Sequence, residues 1–95
     1  MDKYRSLEEI RKHIDRIDTA LITMLAERMS LMPEIARQKS AENVPIFQEK
    51  REQQIMKKLL KISEEHGLDK GFVEEVFLSV FNEAKRIQHH IIDKN

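Results

Sequence analysis

Arg11, Arg28, Lys39, Arg51, Glu52 and Gln88 are polar or charged residues at or beside positions where a helical chain should be apolar. Guanidinium groups are planar forks that fit carboxylates, and an ammonium is a compact donor. A set this rich in cations, with one acid and one amide, suits a small polyanion, most naturally a dicarboxylate. No serine is paired with a histidine, there is no cysteine, and no two acids are spaced for glycoside hydrolysis. None of His13, His66, His89 and His90 has the i, i+4 spacing of a helical metal pair, so no metal site is expected. Any catalysis would be electrostatic and conformational.

These residues stand out because of the elements that carry them. In steps of four and three from the N-terminus, Leu7, Arg11, Ile14, Asp18, Leu21, Leu25, Arg28, Met32, Ile35 and Lys39 share one stripe. That is a coiled-coil seam. One long cation at a seam can snorkel to water. Three are harder to absorb, since each unpaired buried charge costs several kcal/mol and Asp18 cannot neutralise them all. Asp18 fits an ion pair with a neighbouring helix. A second face holds Gln48, Glu52, Ile55, Leu59 and Ile62, with Arg51 beside it. A third holds Val73, Phe77, Val80, Ala84, Gln88 and Ile91. The amide of Gln88 needs partners on that apolar stripe or costs roughly 1–3 kcal/mol.

The punctuation predicts three helices. Ser6 caps the first, with Glu9 completing a capping box. Its period runs to about Ala41, and Pro33 predicts a kink, not a stop. Asn43 and Pro45 mark a connection. The second helix runs from about Gln48 to His66, and Gly67 suits the left-handed position after its end. Asp69 caps the third, from about Lys70 to Ile92. A first helix of about 35 residues spans roughly 50 Å, too long for a compact monomer of 95 residues. The composition agrees: charged residues make up 36% of the chain and aromatics 5%, so a lone chain has a marginal core. A single domain over residues 1–95 that pairs with a second copy is the expectation.

Zero net charge is a poor footprint for nucleic acid. No apolar run is long enough to span a membrane, and "MDKYRSLEEI" lacks the apolar core of a signal peptide. A cytoplasmic, soluble protein is the default reading.

Several stretches then carry a resemblance: "IRKHIDRID" with Arg11, "MLAERMSL" with Arg28, "EIARQK" ending at Lys39, "IFQEKRE" with Arg51 and Glu52, "HGLD", and Gln88 near the end. No one of them is specific, but the ordered set is. Over nearly its whole length the chain resembles the all-helical chorismate mutases. The resemblance implies an all-α, intertwined homodimer of six helices. Its two sites would each take Arg11 from the opposite subunit and Arg28, Lys39, Arg51, Glu52 and Gln88 from one chain. It implies the cofactor-free [3,3] rearrangement of chorismate to prephenate. Arg11 and Arg28 would fix carboxylates, and Arg51 would support the ring carboxylate side. Lys39 and Gln88 would donate to the ether oxygen, and Glu52 would accept from the ring hydroxyl. Gln48 stands where the family has an acid and still hydrogen-bonds a hydroxyl. Ala84 stands where the family has a serine. Isochorismate pyruvate lyase, a mutase of the amino analogue of chorismate, and a non-catalytic helical dimer are the alternatives.

Overall fold

The computed structural model describes residues 4–93. The chain is helical, with no strand among the described residues: α1 Leu7–Ser30, α2 Met32–Ala41, α3 Glu49–Glu65 and α4 Lys70–Asp93. It divides into two compact units at the Leu31–Met32 boundary, one holding α1 and the other holding α2, α3 and α4.

The α1 unit starts as its sequence dictates. Ser6 is extended, and its Oγ accepts from the Glu9 N–H at 3.2 Å. Glu8 and Glu9 occupy the first turn, where acids complement the exposed N–H groups. Inside the helix, the Thr19 and Thr23 hydroxyls donate back to the carbonyls of Asp15 and Thr19, each at 2.9 Å. The helix buries no residue at all. Leu7, Ile14, Leu21 and Leu25 of the expected seam are exposed, Leu21 at 57%. Asp18 is exposed too, and its expected interhelical ion pair is not seen among the described residues.

The expected long first helix is interrupted only at Leu31, beside the expected kink at Pro33, so α1 and α2 together stand for the first of the three expected helices. Pro33, the second residue of α2, has no N–H to offer the Met29 carbonyl. The ladder is broken two residues earlier, at Leu31. Leu31 donates to the Arg28 carbonyl at 3.3 Å, an i→i−3 bond, while keeping right-handed dihedrals of φ −83° and ψ −13°.

In the second unit α4 packs against both α2 and α3. It buries Val73, Val80, Phe81, Ala84 and Gln88, close to the expected stripe. Phe77 lies beside Phe81 with ring centroids 6.3 Å apart. On each of two expected faces one position gives way to its neighbour. On α2 the chain buries Met32 and Ala36 and leaves Ile35 exposed; on α3 it buries Ser63 and leaves Ile62 exposed. Ser63 is affordable there because its hydroxyl donates to the Leu60 carbonyl at 2.7 Å.

The connections hold as read. Asn43 takes φ 56° and Gly67 φ 68°, left-handed values that asparagine and glycine tolerate best. After Gly67, Leu68 N–H returns to the Ser63 carbonyl at 2.9 Å. Asp69 Oδ2 then accepts from the Phe72 N–H at 2.9 Å and starts α4. No helix among the described residues is long and apolar enough to cross a membrane.

Candidate active site

Lys39 lies in the last turn of α2, half-buried against the connection and α4. Its Nζ donates to Gln88 Oε1 at 2.8 Å and to the Ile46 carbonyl at 2.7 Å. The first bond joins residues far apart in sequence and fixes the Gln88 amide. An ammonium only donates, so the amide oxygen must face it and the NH2 must point away. That NH2 lies 3.5 Å from Met32 Sδ, a weak acceptor. Gln88 is 4% exposed. Its amide nitrogen is thus a buried donor held in place but poorly satisfied, ready for a better acceptor.

Burial pushes the Lys39 pKa below its ordinary 10.5; the charge of Glu52 opposes the shift and that of Lys85 reinforces it. The three charges therefore feel one another. Glu52 stands in the first turn of α3, and its Oε2 is 2.9 Å from Lys85 Nζ. The same ammonium rests 4.5 Å from the centroid of the Phe47 ring. Both members of the ion pair are three-quarters shielded, with 23% of each side chain exposed. Ala84 is buried and brings no polar atom to its place.

The structure thus gathers Lys39, Glu52 and Gln88 from three helices of one unit. Gln48 precedes α3 as its cap residue, half-buried, with no side-chain bond to the helix end. Arg51 is exposed in the first turn of α3, with no hydrogen bond or ion pair among the described residues. Arg11 and Arg28 belong to α1, the first exposed and the second half-buried in the last turn. The sequence reading missed Lys85. It lies three residues before Gln88, and that i, i+3 spacing on one helix face is the signal that points to it.

Chemically, the cluster offers a charged donor and an amide donor side by side, with the Glu52 carboxylate near enough to act on the Lys39 charge. Among the described residues no group of three or more His, Cys, Asp or Glu is placed to hold a metal ion.

Residues 10–89 match the family described as chorismate mutase type II. A chorismate mutase of Methanocaldococcus jannaschii is 32% identical over 88 residues, covering 93% of this chain and 89% of that protein. A bifunctional chorismate mutase/prephenate dehydratase of Enterobacter agglomerans is 30% identical over the whole of this chain, which spans 24% of that protein's length. A 4-amino-4-deoxychorismate mutase of Streptomyces venezuelae is 26% identical over 99% of this chain and 91% of its own. The donor pair of Lys39 and Gln88 falls inside the matched span, and with the match covering most of the sequence, the chain belongs to the type II chorismate mutases, isomerases that convert chorismate to prephenate.

Proposed function

We propose that Lys39 and Gln88 stabilise the transition state of the chorismate rearrangement in a site shared by two copies of the chain. In the reaction the ether C–O bond at the ring breaks as a new C–C bond forms between the enolpyruvyl methylene and the ring. The electrons move within one molecule, so no nucleophile, base or cofactor is needed. The ether oxygen gains negative charge before the bonds finish exchanging. Donors already aimed at that oxygen lower the barrier without reorganising. Lys39 Nζ and the Gln88 NH2 are such donors, and the 2.8 Å bond between the two side chains is the observation that carries the reading.

Glu52 accepts from the ring hydroxyl, with Gln48 as a second polar neighbour. Arg28 and the partner's Arg11 hold the carboxylates, and Arg51 supports the ring carboxylate. Holding the substrate in its compact, chair-like form brings the reacting carbons together. The exposed leucines and isoleucines of α1 support a homodimer in which the first helices of two chains cover one another. In it residues 1–95 act as one domain of an intertwined six-helix bundle. Its setting is the cytoplasm, in aromatic amino acid synthesis.

Incubating the purified protein with chorismate and with isochorismate, and identifying products, tests the assignment. Prephenate from chorismate is expected. Pyruvate release from isochorismate with no prephenate formed would replace the mutase by the lyase.

A further inference from the structure

Glu52 faces two ammonium groups. Lys85 Nζ touches its Oε2 at 2.9 Å, and its charge also acts on Lys39. Lys85 is not a loose surface lysine. The Phe47 ring at 4.5 Å holds its cation by the ring quadrupole, and the pair is largely out of water. Lys85 is paired with Oε2, which leaves Oε1 outside that ion pair as the open oxygen for a substrate group. A neutral hydroxyl can donate to that open oxygen and adds no charge. A protonated amine in the same place adds a third cation beside Lys39 and Lys85, while the acid that would welcome it is already neutralised.

We propose that Lys85 is a specificity-determining residue that makes the site select a neutral hydroxyl over an ammonium at the ring carbon facing Glu52. The inference rests on the reading above, in which Glu52 meets the ring hydroxyl. Lys85 acts in two ways: it fixes the Glu52 carboxylate through Oε2, and it cancels the negative charge that would attract a cationic substrate.

The test compares kcat/KM for chorismate and for its 4-amino analogue at pH 7, where an alkyl amine is protonated. The wild-type protein should prefer chorismate. Lys85→Met removes the charge and keeps an apolar stem over Phe47; it should shift the ratio of the two kcat/KM values toward the amine by about tenfold or more. Lys85→Arg restores a cation and should hold the ratio near wild type. A purely structural lysine would lower both substrates equally in Lys85→Met and leave the ratio unmoved, and that result overturns the proposal. So does a wild-type preference for the amine. If circular dichroism shows Lys85→Met unfolded, Lys85→Gln carries the same comparison with a polar stem. Glu52→Gln separates the two layers of the argument. If it leaves chorismate turnover intact, Glu52 does not meet the substrate and the site reading fails. If it lowers turnover but Lys85→Met leaves the ratio unmoved, only the role of Lys85 fails.

Discussion

Helices α1 and α4 have the same length, 24 residues each, yet they solve opposite problems. The α4 helix buries five side chains within the chain, Gln88 among them, while α1 buries none. Both carry an apolar stripe at helical spacing. On α4 the stripe is covered by α2 and α3. On α1 Leu7, Ile14, Leu21 and Leu25 face solvent in the single chain, a stripe of large apolar side chains broken only by Arg11 and Asp18. Burying one leucine fully is worth about 1.5–3 kcal/mol, so a second α1 laid on this stripe would supply stability the single chain lacks. One helix builds the core, and the other keeps the apolar face that the proposed homodimer would cover.

The largest expected effect sits on the core side of this comparison. Lys39→Ala removes a charged donor from the proposed site and should cut the rate of chorismate loss by about a hundred- to a thousandfold. Its melting temperature should move little. Loss of two hydrogen bonds is set against relief of a partly buried cation, and burial is the largest influence on the Lys39 pKa. A variant that unfolds yet keeps its rate would make Lys39 structural. Gln88→Ala should be severe as well. Gln88→Glu should work only at acidic pH, where its carboxyl still has a proton to donate.

On the α1 side, Leu21→Arg separates the two arrangements. In a monomer a change at a side chain 57% exposed should shift stability by under about 0.5 kcal/mol. In a dimer it puts charge into a buried seam and should abolish association, activity and most of the stability together. Sedimentation at low micromolar protein, beside a thermal melt, reads the outcome. A folded, active Leu21→Arg monomer would sink the shared site.

Arg11 sharpens the same point. If it serves the partner's site, Arg11→Ala and Arg28→Ala subunits are each inactive but complement one another when mixed. In a mixed dimer one site carries both changes and the other neither. Random exchange should therefore recover about a quarter of wild-type activity. No recovery after confirmed exchange would deny Arg11 a role across the interface.

What the sequence disclosed follows the range of the interaction. Ser6, Gly67 and Asp69 were legible because a cap or left-handed turn is decided within a few residues. The stripe from Val73 to Gln88 was legible because α4 is packed on one continuous face. Ile35 and Ile62 misled, since hydrophobicity favoured them while the packing of α2 and α3 on α4 chose the smaller Ala36 and Ser63 next door. Lys85 stayed hidden because Glu52 and Phe47 reach it only across the fold. The interruption at Leu31 was legible from Pro33, read as a kink and not a stop; proline in a first turn fits the restart of the helix there. For the site, Lys39, Glu52 and Gln88 come together in one unit, whereas Arg11 and Arg28 lie on α1 and Gln48 and Arg51 show no side-chain bond among the described residues that ties them to the cluster.

A smaller effect concerns pH. Lys39 must be an ammonium to donate to the ether oxygen, and its pKa is lowered from 10.5. Activity should therefore fall on the alkaline side earlier than for an ordinary lysine. The stability effect has the opposite sign. Between the lowered value and 10.5 the unfolded chain binds more protons than the folded one, so this group lets stability rise with pH across that window. Glu52 holds the proton on Lys39 and Lys85 repels it. Glu52→Gln should move the alkaline limb to lower pH, and Lys85→Met to higher pH. Rate–pH profiles of the three proteins check both directions, and limbs that coincide would mean the three charges do not share a site.

The smallest effect lies at the boundary between the two regions. Pro33→Ala restores an N–H that can donate to the Met29 carbonyl and removes the ring that crowds it. Alanine is also the better helix former. Proline in the first turn of a helix costs little, however, because first-turn N–H groups have no helical acceptor. The net gain should thus be about 1 kcal/mol or less, a rise of a few degrees in the melting temperature. Activity should change by less than threefold, since Lys39 takes its place from Gln88 and Ile46 and not from the preceding turn. Amide hydrogen exchange at residues 31–34 gives the local readout. Slower exchange there with activity retained would mean that the division into α1 and α2 is a consequence of one proline. Faster exchange or a lower melting temperature would mean that the break is itself favoured, with Pro33 fitted to a turn that the rest of the chain demands.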